Sequence, residues 1–169
     1  IAPLLDRIRE AVAADLPVIG HCLGAQLLSK ALGGTVSANP VKEIGWGEVR
    51  PISPAAAEWF GDFRAEPVFH WHGETFSLPA GATRLLESDW CANQAYVVGG
   101  RHLGMQCHVE MTPELVTAWC VNGAGEIAAA TSPAVQTAEI MQAGVEARIA
   151  RLHVLADKIY SRWLQGLRS

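Results

Sequence analysis

Apolar side chains recur at three- and four-residue intervals over residues 3–14, where Leu4, Leu5, Ile8, Ala11 and Val12 fall on one helical face. Pro3 suits the first turn of that helix. A short unbroken apolar run follows at 17–20, the pattern of a strand buried on both sides. Helical spacing resumes over 24–32, with Leu27, Leu28, Ala31 and Leu32 on one side, and Gly33-Gly34 stops it.

Residues 35–99 change rhythm. Short strand-like segments at 35–37, 47–52, 67–71, 83–88 and 95–98 are punctuated by glycine and proline. A further strand is expected at 103–107. Thr112-Pro113-Glu114 carries the cap, the first-turn proline and the early acid of a helix start, and Leu115, Val116 and Trp119 give that helix a face to bury. Ser132-Pro133 repeats the start signal. Apolar residues from Val135 to Trp163 then keep helical spacing, as one long helix or as two divided near Gly144. Strands interleaved with helices predict an α/β fold, with an open, doubly wound, mostly parallel sheet and helices on both faces. No linker, repeat or low-complexity tract divides residues 1–169, so one domain is expected.

Charge and composition remove several classes of function. Thirteen basic and 17 acidic residues leave a net charge of −4, and no basic stripe marks a nucleic-acid surface. No apolar stretch reaches membrane-spanning length, and no signal-peptide pattern opens the chain, so a cytoplasmic protein is expected. Cys22, Cys91, Cys107 and Cys120 are scattered without close pairing, which favours free thiols in a reducing compartment.

The chemistry concentrates in two places. Gly20-His21-Cys22-Leu23-Gly24-Ala25-Gln26 joins the strand at 17–20 to the following helix through Gly-x-Cys-x-Gly. That is a nucleophile elbow with cysteine in place of serine. The turn is tight, so small residues are expected two before and two after the nucleophile, at Gly20 and Gly24. A helix N-terminus favours thiolate over thiol. Further on, Gly104-Met105-Gln106-Cys107-His108-Val109-Glu110 ends a strand in His-x-Glu. Side chains two apart on extended chain point the same way, so Glu110 can hold the His108 ring in the tautomer a general base needs. Cys22, His108 and Glu110 together are the parts of a catalytic triad.

These two motifs, in this order, resemble the class I glutamine amidotransferase family, whose elbow is Gly-x-Cys-x-Gly-x-Gln and whose second motif is Gln-Phe-His-Pro-Glu. The middle segments, Lys42-Glu43-Ile44-Gly45-Trp46, 70–79 and 88–95, are similar to stand-alone, GMP-synthase-like members. Cys107 and Val109 stand where the family has Phe and Pro, and neither change removes a reactive group. The resemblance implies a flavodoxin-like sheet and hydrolysis of the glutamine side-chain amide through a cysteinyl thioester. It implies that Leu23 supplies an oxyanion N–H, that Gln26 contacts substrate, and that the backbone at Trp71 and His72 lines the glutamine pocket. In that family a first strand and a glycine-rich oxyanion loop precede the position matching Ile1, so the domain over 1–169 is expected to lack both. The ammonia would pass to a partner synthase subunit, and homo-oligomerisation is compatible with the reading. No metal or organic cofactor is implied.

Three other readings share some of these residues. A cysteine α/β-hydrolase of the dienelactone-hydrolase kind has the same elbow but places its acid before the histidine, at Asp62 or Asp89 in this chain. A stand-alone hydrolase of γ-glutamyl compounds would keep the whole triad. A non-catalytic binding protein would keep only the pocket. His70 and His72 alternate on a strand, but no third and fourth metal ligands lie at recognisable spacing. His21, His102 and His153 carry no chemistry in this reading, and Trp59, Trp90, Trp119 and Trp163 are packing aromatics.

Overall fold

The structure, a computed structural model, describes residues 1–167. One central strand shows how its layers are built. Strand β5 (Ala95–Val98) sends Ala95 and Val97 into one apolar cluster and Tyr96 and Val98 into another, as two-residue alternation requires. The first cluster is closed by helices α3 (Ala56–Phe60), α4 (Pro113–Asn122), α6 (Ala138–Gln142) and α7 (Val145–Gly166). The second lies under α1 (Ala2–Ala13) and α2 (Leu23–Ala31). Helices therefore lie against both clusters, and the fold is mixed α/β.

The expected mostly parallel sheet is corrected. The strand order is β1 (Ile19–His21), β6 (His102–Met105), β5, β4 (Ala82–Glu87), β2 (Val36–Pro51), β3 (Glu66–Phe76), with β7 (Ala134–Val135) beside β2. Among the described residues only β1–β6 and β2–β7 pair in parallel; the other ladders are antiparallel. The chain leaves little choice between β5 and β6. Gly99 and Gly100, at φ 59° and 69°, turn it straight back, and a parallel return needs a crossover of about a dozen residues.

The segments expected at 35–37 and 47–52 are one strand, β2, which slips register against β3 between Ala38 and Glu43. Pro40 sits inside that irregularity, where its missing N–H costs no ladder bond. Helices α3 and α5 (Ala124–Ala129) are short and carry no clear periodicity in the sequence.

The Thr112 cap forms as predicted, with its hydroxyl accepting from the Leu115 N–H at 3.2 Å. Ser132-Pro133 does not start a helix. Ser132 Oγ donates to the Lys42 carbonyl at 2.6 Å and the chain adds β7 to the sheet instead. The apolar periodicity beyond it resolves into α6 and α7, divided by Gly144 at φ 64°. Helix α7 buries Ile149, Leu152, Leu155, Ala156 and Ile159. Each fully buried aliphatic side chain is worth about 1.5–3 kcal/mol, enough to fix where this helix lies.

Candidate active site

Cys22 stands between β1 and α2. Its N–H donates to the Met105 carbonyl at 2.7 Å, continuing the β1–β6 ladder, and its own carbonyl accepts from the Gln26 N–H at 3.1 Å, opening the helix. Between those two bonds the backbone is forced to φ 46°, ψ −105°. A non-glycine residue held there costs about 1–3 kcal/mol, and such strain collects at functional sites. The close approach behind the elbow falls on Gly20, where a Cβ would lie 2.4 Å from the Gly24 carbonyl carbon. Gly24 differs from expectation: a Cβ there meets nothing within 4 Å.

His108 lies beyond the end of β6. It is held laterally, its N–H donating to the Phe69 carbonyl at 2.8 Å. Its Nδ1 donates to Glu110 Oε1 at 2.6 Å, so Glu110 orients the ring as the spacing predicts. The other nitrogen, Nε2, is buried with no hydrogen-bond partner among the described residues. His108 and Cys22 line one cleft of about 490 Å³, with His21, Leu23, Trp71 and Trp119. Burial opposes charge on His108, but its interactions with Cys22 and Glu110 outweigh that and push it up to about 9. Burial likewise opposes charge on Glu110, and the hydrogen bond from His108, with the charges of His108 and His21, holds it below the usual carboxylate range. At neutral pH the ring is an imidazolium between a carboxylate and a sulfur.

The acids of the dienelactone-hydrolase order lie elsewhere. Asp62 and Asp89 are exposed, and Asp89 accepts from Arg50 at 2.6 Å.

The remaining predicted site residues divide. Leu23 and Trp71 line the cleft. The Trp71 carbonyl lies 3.7 Å from Cys22 Sγ, where it can accept the thiol proton. The Trp71 indole N–H donates to Glu126 at 3.0 Å, and its ring packs edge-on to Trp119. Gly123 permits that placement, since a Cβ there would lie 2.2 Å from Trp71 Cζ2.

Gln26 and His72 are buried and are not among the residues lining the cleft. Gln26 instead donates to Gln106 Oε1 at 3.2 Å, and Gln106 Nε2 points at Cys22 Sγ from 3.4 Å. His72 donates through Nδ1 to the Glu74 carbonyl, with Nε2 3.0 Å from Glu43 Oε2. Glu43, His72 and Cys91 place donor atoms within 4.8 Å of one another, the one group of metal-ligand type among the described residues. Protein partners already surround it: Ser88 and Gln94 donate to Glu43, and Thr75 faces the Cys91 sulfur.

Sequence reasoning missed three residues here. Gln106 lies two before His108, within the second motif. Trp119 meets the His108 ring edge-on at 4.9 Å. His21, set aside as structural, lines the cleft with Nδ1 3.4 Å from Glu110 Oε2. Its place directly before the nucleophile was the available signal.

A family model for class-I glutamine amidotransferases matches residues 2–120. The glutamine amidotransferase-like protein YfeJ of Salmonella typhimurium is 39% identical over 111 residues, 64% of this chain and 46% of that protein. A GMP synthase [glutamine-hydrolyzing] of Vibrio vulnificus is 34% identical over 102 residues, 59% of this chain and 19% of that one. The chain thus spans less than half the length of either relative. Among solved structures, a glutamine amido transferase from Methylobacillus flagellatus superposes with TM-score 0.95 at 46% identity, covering 98% of this chain and 69% of that one. One from Thermotoga maritima gives 0.85 at 29% identity, covering 97% and 69%.

Proposed function

Because this chain belongs to the class I glutamine amidotransferase family, we propose that it hydrolyses the side-chain amide of glutamine through a cysteinyl thioester and releases ammonia. The observation that carries the reading is the cleft itself. A cysteine on a strained elbow and a histidine braced by a carboxylate share one opening.

The thiolate Sγ of Cys22 attacks the amide carbon, and its negative charge passes to the carbonyl oxygen. The Leu23 N–H at the start of α2 stabilises that oxyanion. His108, already protonated at neutral pH, gives its proton to the leaving nitrogen, and ammonia departs from the thioester. The ring then takes a proton from water as that water attacks the thioester, giving glutamate and restoring the Cys22 thiolate beside the imidazolium. Glu110 keeps the ring oriented and charged throughout. Gln106, bound to Gln26, holds the sulfur in place, so Gln26 serves the nucleophile from behind. His72 fixes the strand that presents Trp71.

The acceptor of ammonia is a synthase partner in this reading. A cytoplasmic setting fits the four free cysteines, and among the described residues no helix is long and apolar enough to cross a membrane. One observation favours a second substrate class. The indole walls at Trp71 and Trp119 suit a γ-glutamyl amide with an apolar leaving group. Ammonia release from glutamine by the full-length protein, compared with amine release from γ-glutamyl anilides, decides between them. A Cys22→Ala variant that still releases either product refutes both.

A further inference from the structure

We propose that His21 is a positioning residue for Glu110, and that Tyr160 on α7 sets the tautomer in which it acts. The inference rests on the triad reading above and extends it by one layer. Glu110 has two oxygens. Oε1 accepts from His108 at 2.6 Å. Oε2 is buried without a hydrogen-bond partner among the described residues, and so is His21 Nδ1. These two orphaned atoms face each other at 3.4 Å. A buried polar atom left unpaired costs about 1–3 kcal/mol. The pair is close but forms no hydrogen bond in this state. Catalytic hydrogen bonds are often long in the unliganded state and tighten when substrate is bound.

The far side of His21 explains which way its proton points. Nε2 lies 3.1 Å from the Tyr160 hydroxyl, and the two rings meet edge-on with centroids 5.9 Å apart. The carboxylate facing Nδ1 can only accept, so Nδ1 carries the proton and the Tyr160 hydroxyl, raised by burial to about 12, donates to Nε2. The single proton of a neutral His21 then sits on Nδ1, aimed at Glu110. Burial lowers His21, against the pull of Glu110 and with the help of His108, so the ring favours its neutral form and His108 carries the charge beside Glu110. Tyr160 adjoins the buried Ile159, so the packing of α7 fixes the hydroxyl in place.

The test separates a donor from a spacer. Asn at position 21 keeps an N–H close to the Nδ1 position, whereas Leu keeps the volume and removes the donor. In the full-length protein, kcat should fall about tenfold to a hundredfold in His21→Leu, with KM little changed, and recover in His21→Asn. Tyr160→Phe should lower kcat in the wild type and have no further effect in the His21→Leu background. The low-field proton resonance of the His108–Glu110 hydrogen bond should shift in His21→Leu and stay in place in His21→Asn. A Leu variant with wild-type kcat and an unmoved resonance overturns the proposal. If the wild type hydrolyses no γ-glutamyl amide, the functional reading falls and the resonance alone decides the role of His21.

Discussion

His108 Nδ1 donates to Glu110 Oε1 at 2.6 Å, and the same ring lines the cleft that also holds Cys22, its Nε2 buried without a hydrogen-bond partner among the described residues. The carboxylate and Cys22 both favour the charged form of that imidazole. The consequences can be measured one at a time.

Glu110→Gln removes the negative charge and leaves the burial. His108, at about 9 in the wild type, should then titrate well below that value, which NMR of the ring resolves. Turnover should drop by about 10²- to 10⁴-fold, as when a triad acid loses its charge. The corresponding Asp89→Asn change should leave activity intact.

Stability should depend on pH in a definite direction. A histidine raised to about 9 on folding, from its ordinary 6.5, contributes stability fully below about 6.5 and loses it as pH rises through about 9. That contribution is about 3 kcal/mol. Glu110, held below its ordinary value, contributes in the opposite window: its share is present above about 4.5 and is lost as pH falls. Denaturant midpoints at pH 6 and pH 9.5 should therefore differ more for the wild type than for Glu110→Gln.

The elbow glycines should not behave alike. Gly20→Ala drives a Cβ to 2.4 Å from backbone and should destabilise the fold and abolish activity. Gly24→Ala meets open space and exchanges a poor helix former for the best one. It should raise stability by up to about 1 kcal/mol. Thermal melts of the two variants check the contrast.

Gln106→Leu removes the donor 3.4 Å from Cys22 Sγ and leaves the buried Gln26 amide without its acceptor. The expected cost is about 1–3 kcal/mol of stability, together with slower alkylation of Cys22 by iodoacetamide. Unchanged alkylation would remove Gln106 from the site.

The placement of Cys22, His108 and Glu110 was legible in the sequence because local rules fix it. A strand, a small-residue turn and a helix place Cys22, and two-residue alternation places Glu110 beside His108. Strand direction was harder to see, since hairpins at Gly99-Gly100 and parallel crossovers both leave short apolar runs. The Ser132-Pro133 start signal failed for a non-local reason: the Lys42 carbonyl, ninety residues away in sequence, captures the Ser132 hydroxyl. His21 was passed over because its partners, Glu110 and Tyr160, come from distant parts of the chain. Gln26 was placed on the right helix face, yet the glutamine of the second motif stands between it and the sulfur.

The most direct measurement is mass spectrometry of the full-length protein quenched in acid during turnover with glutamine. A glutamyl group on the peptide bearing Cys22, formed with release of ammonia and absent from Cys22→Ala, is the predicted result. Intact, unmodified Cys22 under conditions where ammonia is being released would contradict covalent catalysis at this cleft.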